Sequence, residues 1–145
     1  MLIRDAFPSD ESSWRQLWAA YLAFYESEVP EEVTAKTWER LIRRQDGLYC
    51  RVAETGSKVC GFSLSVLHSG TWTTDPVCYL EDLFVSPENR GRGMGEALIR
   101  DLVTTAKSKG WSRLYWHTRT SNTAARSVYD RFTLADDFVR YRLIF

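Results

Sequence analysis

The run Arg90-Gly91-Arg92-Gly93-Met94-Gly95 has the makings of an anion site. Glycine lets the main chain come close to a ligand, and free N–H groups at a helix start point at negative charge. Arg90 and Arg92 add positive charge at the same end. An apolar run ending at Val85 and broken by Pro87 precedes the turn, and a helical pattern follows it. Strand, tight turn and helix start, in that order, describe a site for a phosphorylated ligand. Two phosphate turns fail on spacing. A P-loop closes on Gly-Lys-Ser/Thr, where this chain has Met94-Gly95-Glu96. A dinucleotide turn counted from Gly91 and Gly93 needs a third glycine where Glu96 stands. What remains is Arg-x-x-Gly-x-Gly, running from Arg90 through Gly93 to Gly95.

The elements around that turn follow from periodicity. Leu2–Ala6 reads as a first strand. Ser9 is placed to cap a helix reaching about Glu26, whose Trp14, Leu17, Trp18, Tyr21, Leu22 and Tyr25 share one face. Pro30 interrupts, and Thr34 is placed to cap a second helix with Trp38, Leu41 and Ile42 inward. Strands over 48–54 and 58–67 flank Thr55-Gly56-Ser57, a hairpin signal. A central strand spans 77–86, a helix runs from Gly93 to Gly110, and a strand covers 114–118. Ser121-Asn122 opens a fourth helix through Tyr129, and the alternation in Phe138–Phe145 predicts a closing strand. The fold class is α/β (α+β): one domain over 1–145, a mixed central sheet of about six to seven strands, and four helices.

Composition narrows the ligand class. Nineteen basic and nineteen acidic residues give a formal net charge of zero, so the clustered positive excess of a nucleic-acid binder is missing. No stretch approaches the roughly 20 apolar residues of a membrane span, and Met-Leu-Ile-Arg-Asp does not read as a signal peptide. A cytoplasmic location is the expectation. Cys50, Cys60 and Cys78 show no Cys-x-x-Cys spacing and read as buried thiols, and His68 and His117 alone are too few for a metal cluster. His117 reads as a structural histidine.

Tyr79-Leu80-Glu81-Asp82-Leu83-Phe84-Val85 before the glycine turn, and Asn122 followed seven residues later by Tyr129, complete a pattern. It resembles the GNAT superfamily of N-acetyltransferases, whose topology matches nearly the whole chain, and over Tyr79–Tyr129 it looks most like the polyamine and histone/polyamine enzymes. The resemblance implies acetyl-coenzyme A as co-substrate, with its diphosphate on Arg90, Gly91, Arg92, Gly93, Met94 and Gly95. It implies a splayed, often bulged central strand, whose N–H groups at Leu83, Phe84 and Val85 meet the pantetheine and thioester oxygen. One departure concerns Thr133, where relatives usually carry glycine; the helix end must then turn another way.

Acetyl transfer to an amine poses two proton problems. The acceptor is an ammonium ion at pH 7, a lysine-like amine having a pKa of about 10.4. Glu81 matches the family's general base, acting directly or through water. Asp82 faces the other way in a regular strand, although a bulge would exchange the two. The leaving thiolate is the second problem. Tyr129 matches the tyrosine placed beside the coenzyme sulfur, and otherwise reads as a core aromatic. Asn122 either bonds the pantetheine amide or simply caps the helix.

Glu26-Ser27-Glu28-Val29-Pro30-Glu31-Glu32 holds four acids and no base, which suits either a cationic acceptor or a solvated loop. The expected activity is direct acetyl transfer, in a ternary complex, to a primary amine on a polyamine-like molecule or a lysine side chain. The alternative is a non-catalytic acyl-coenzyme A-binding regulatory module, which has no need of both Glu81 and Tyr129. Relatives often pair through C-terminal strands, so Phe138–Phe145 would be the edge of a homodimer.

Overall fold

Backbone pairing orders five strands as β1-β2-β3-β4-β5. The computed structural model describes residues 1–145. The strands are β1 (Leu2–Asp5), β2 (Leu48–Thr55), β3 (Lys58–His68), β4 (Val77–Val85) and β5 (Arg113–Trp116). The first four pair antiparallel, and β4 pairs parallel with β5. Four helices complete the domain: α1 (Glu11–Phe24), α2 (Glu31–Arg43), α3 (Met94–Lys109) and α4 (Thr123–Tyr129). The β2–β3 hairpin turns on Gly56 and Ser57, both at positive φ (57° and 60°), the geometry that matches strand twist in a two-residue loop.

The helices cover both faces of the sheet. On one face Trp14 and Leu17 of α1, with Trp38 and Leu41 of α2, pack on Cys50, Val52, Phe62, Leu64 and Phe84. Trp14 is fully buried, with Trp18 stacked at 5.5 Å and Trp38 at 5.0 Å between ring centres. Burying a side chain of this kind contributes about 1.5–3 kcal/mol. On the other face Ile99 and Leu102 of α3 meet Leu80 and Tyr49, while Met94 and Leu98 meet Ala53 and Cys60. All three cysteines are buried free thiols, and burial pushes Cys78 up to about 11.

Arginines knit the outer layers. Arg51 of β2 bridges Asp101 of α3 (2.7 Å) and Asp5 of β1 (2.8 Å), while Arg4 holds Asp10 and Glu54.

Several sequence expectations are corrected. Ser9 is not a cap: Pro8–Asp10 form a single 3-10 turn in which Asp10 accepts the Phe7 N–H at 2.7 Å. Asp10 wins because Arg4 fixes its carboxylate there. Thr34 is not a cap either. Pro30 presets the backbone and α2 begins at Glu31, leaving Thr34 buried as acceptor for Trp18 Nε1 at 3.2 Å. The sheet has five strands rather than six to seven, because Phe138–Phe145 forms no strand. Nothing between α4 and Phe138 supplies a hairpin mate, and the segment makes no ladder with β5. Its Phe138, Tyr141, Leu143, Ile144 and Phe145 are exposed. Thr133 is accommodated without glycine. The N–H groups of Phe132 and Thr133 both bond to Tyr129 O (2.9 and 3.2 Å), so α4 closes in right-handed turns.

Candidate active site

Two local features meet at the end of β4, a widening of the sheet and the glycine turn. Pairing between β4 and β5 covers only Val77↔Arg113 through Leu80↔Trp116. Beyond Leu80, β4 continues to Val85 with β3 on one side and no strand on the other. Leu83, Phe84 and Val85 lie on this stretch, paired with β3 alone. Phe84 is buried against α1, and Leu83 and Val85 pack toward α3. Main-chain groups on the open side of β4 are therefore available to a ligand lying between the strands.

The glycine turn prepares the neighbouring end. Gly91 and Gly93 sit at φ of 73° and 76°, where a side chain would be strained. Ala97 is the first residue of α3 whose N–H finds a main-chain acceptor, Gly93 O at 2.9 Å. No main-chain carbonyl accepts the N–H groups of Gly91 through Glu96. Unpaired donors at a helix start, aided by the helix dipole, form an anion cradle. Gly95 is more telling still. It lies inside the helix without positive φ, where alanine would be preferred, and an added Cβ meets nothing within 4 Å. The fold alone gives no reason for glycine there, whereas a diphosphate seated on the turn does. The residues present thus fit a coenzyme A diphosphate. Arg90 donates from Nε to Val85 O at 3.0 Å and lies over the rings of Phe84 and Phe24. Arg92 is exposed and Met94 is buried.

The fourth helix delivers Tyr129. Asn122 caps it, accepting the Ala125 N–H at 3.4 Å, while its Nδ2 donates to Thr118 Oγ1 at 3.2 Å. Arg131, just beyond α4, reaches Glu96 in the first turn of α3 at 2.7 Å and ties the two helices together. Tyr129 packs edge-on against Trp116 (5.5 Å) at the end of β5. Burial, then the neighbouring Tyr25, pushes its phenol up to about 12. The hydroxyl is therefore protonated at neutral pH, and no protein group accepts from it.

Glu81 and Asp82 sit at a β-bulge. Leu64 pairs with Asp82 and Ser65 with Leu80, so Glu81 is the extra residue, exposed and without a bonded partner. Asp82 turns toward α1 and accepts from the Tyr21 hydroxyl at 2.6 Å. Burial is the largest influence on it. The Tyr21 bond pulls the other way, Glu81 adds repulsion, and the carboxyl is pushed up to about 6. Sequence reasoning assigned Glu81 to the site and left the orientation of Asp82 to the presence of a bulge; it missed Tyr21 as a partner. The available signal was a phenol at helical spacing within an aromatic face.

The two histidines meet tyrosines of β4 and β5. His117 is exposed, its Nδ1 lying 3.3 Å from the Tyr79 hydroxyl. His68 Nδ1 faces Ser69 O and its Nε2 faces the Tyr115 hydroxyl, both at 2.9 Å. Tyr79 and Tyr115 stack between them at 5.1 Å. Of the acidic segment, Glu31 is held by Arg15 at 2.7 Å, while Glu26, Glu28 and Glu32 have no basic partner.

Comparison with known proteins places this geometry among others like it. The profile of the Acetyltransferase (GNAT) family matches residues 13–133. The D-amino-acid N-acetyltransferase HPA3 of Saccharomyces cerevisiae is 30% identical over 145 residues, covering 98% of this chain and 89% of that protein. A thialysine N-epsilon-acetyltransferase of Mus musculus is 35% identical over 97 residues, covering 61% of this chain and 56% of that protein. A crystal structure described as a probable acetyltransferase superposes with a TM-score of 0.88 at 22% identity, covering 100% of this chain and 98% of the other. The structure of AAC(6')-Iy with the bisubstrate analogue CoA-S-monomethyl-acetylneamine gives 0.81 at 22% identity, over 99% and 97%. At that identity the structural likeness speaks for the fold.

Proposed function

The chain belongs to the GNAT family of acetyltransferases, and from that premise we propose that it moves acetyl from acetyl-coenzyme A to a small cationic primary amine. The unpartnered N–H groups of Gly91 through Glu96, with room in front of Gly95, carry the coenzyme assignment. When bound, acetyl-coenzyme A supplies an activated acetyl thioester. The turn holds its diphosphate, with Arg90 and Arg92 adding charge. The open side of β4 at Leu83–Val85 receives the pantetheine arm. Asn122 caps α4 through Oδ1 and gives one Nδ2 hydrogen to Thr118, and its second Nδ2 hydrogen serves the pantetheine amide.

Two residues handle protons in this reading. Glu81, exposed at the bulge, accepts a proton from the acceptor ammonium, directly or through water, and passes it to solvent. Tyr129, protonated at neutral pH, offers its hydroxyl hydrogen to the sulfur side of the cleft. Acceptor class follows from charge. In and beside the connection between α1 and α2, Glu26, Glu28 and Glu32 have no basic partner and draw cations, and the named relatives act on D-amino acids and thialysine, both small amines.

A thiol-release assay with acetyl-coenzyme A and a panel of D-amino acids, thialysine, lysine peptides and spermidine tests the reading. Turnover with at least one cationic amine is expected. Coenzyme binding without release of thiol from any of them would refute it.

Self-association is part of the same proposal. The exposed apolar row in Phe138–Phe145 and the free edge of β5 suit pairing with a second copy. Sedimentation of the full chain against one ending at Asp137 tests it, and a monomer in both rejects it.

A further inference from the structure

Carboxylates withdrawn from solvent in this protein carry a counter-ion of their own, with one exception. Asp5, Asp10, Glu54, Glu96 and Asp101 hold arginines, and Glu11 and Glu39 hold basic residues of their own helices. Asp82 is likewise half-buried, yet no lysine, arginine or histidine pairs with it. Its Oδ1 takes the Tyr21 hydroxyl, and its Oδ2 receives no donor from the protein. That oxygen is not sealed in, unlike the Ser63 and Ser65 hydroxyls, which are fully buried without a partner. A carboxylate held in low dielectric without a cation is unfavourable unless a ligand completes it.

We propose that Asp82, oriented by Tyr21, is the counter-ion of the acceptor's ammonium group and selects cationic primary amines. The inference rests on the acetyl-transfer reading above and adds the residue that recognises the acceptor. Tyr21 is a positioning residue: it occupies Oδ1 and leaves Oδ2 for the incoming N–H donors. The bulge makes this possible by turning Asp82 toward α1 at the level where β4 and β5 have separated. The ammonium is thereby held beside Glu81, the neighbouring residue that takes its proton. One proton leaves R–NH3+ for the Glu81 carboxylate, giving R–NH2 and a neutral acid, so charge is conserved.

Two titratable groups influence Asp82: Tyr21 from α1 and Glu81 on its own strand. Its β3 partner, Leu64, is uncharged, and beyond Tyr21 lies Tyr25. Amine binding therefore requires the ionised carboxylate and weakens as pH falls through about 6.

The test compares wild type, Asp82→Asn and Tyr21→Phe. For Asp82→Asn, the KM of the amine should rise about thirtyfold or more while the KM of acetyl-coenzyme A stays unchanged. For Tyr21→Phe, loss of the donated bond should move the acid limb of amine kcat/KM to higher pH. A saturating amine, without coenzyme, should raise the melting temperature of wild type but not of Asp82→Asn. An amine KM within threefold of wild type in Asp82→Asn overturns the proposal. If wild type releases no thiol with any amine, the acetyl-transfer reading fails, and the melting shift alone decides: an equal shift in both proteins, or none in either, overturns the role of Asp82.

Discussion

Leu80 and Asp82, two residues apart on one strand, lie on opposite faces of the sheet: Leu80 packs against Ile99 and Leu102 of α3, while Asp82 bonds Tyr21 of α1. A regular strand would put both on the same face. The extra residue, Glu81, breaks the alternation, and it does so where β5 stops pairing with β4. One inserted residue thus supplies two acidic groups at the mouth of the cleft without disturbing the α3 core.

Gly95→Ala separates the needs of the fold from those of the ligand. The helical backbone and the open space before it make the variant equal or slightly more stable, by about 0.5 kcal/mol. Coenzyme A affinity should nonetheless fall by about tenfold or more, because the new methyl group occupies the approach to the free N–H groups. Thermal melting and calorimetric titration measure the two effects; unchanged affinity would remove the diphosphate from this turn.

Asp82 leaves a signature in stability against pH. Its folded pKa, about 6, lies above the ordinary 3.8, so folding disfavours the ionised form. The resulting penalty is full above pH 6 and disappears as pH falls below 4. Asp82→Asn should therefore be more stable than wild type at pH 7.5, by about 1–3 kcal/mol, with the gain vanishing near pH 4. Denaturant melts across that range decide it, and a destabilised variant at pH 7.5 would contradict the account.

Tyr129→Phe should lower turnover by about 10–100-fold, since a positioned proton donor is lost. Its hydroxyl has no protein acceptor, so stability should change by less than about 0.5 kcal/mol and coenzyme affinity should persist. Steady-state kinetics with a calorimetric control test this. Wild-type turnover in the variant would reduce Tyr129 to packing against Trp116.

Gly47→Ala probes the frame. Gly47 sits at φ 75°, and an added Cβ would lie 2.2 Å from Leu67 O, a backbone atom that cannot give way cheaply. A loss of at least about 2 kcal/mol is expected, equivalent to a fall in melting temperature of several degrees. A melt within one degree of wild type would show that the β2 entrance is more plastic than its geometry implies.

Much of this was legible without coordinates, and the reason is locality. The glycine turn, the Gly56-Ser57 hairpin and the helix starting at Asn122 are set by neighbours a few residues apart. Thr34 was misread because its partner, Trp18, belongs to another helix. Phe138–Phe145 alternates as a strand should, but alternation shows only a capacity to pair, and pairing needs a second strand.

The amino-acid sequence by itself determined the family, the alternation of helices and strands, and the glycine turn that opens α3, since these depend on residue type and short-range spacing. Tertiary structure alone decided where Asp82 points, that Tyr21 holds it, and that the sheet stops at five strands. Register, burial and the search for a partner are properties of segments far apart in the chain, and no local pattern contains them.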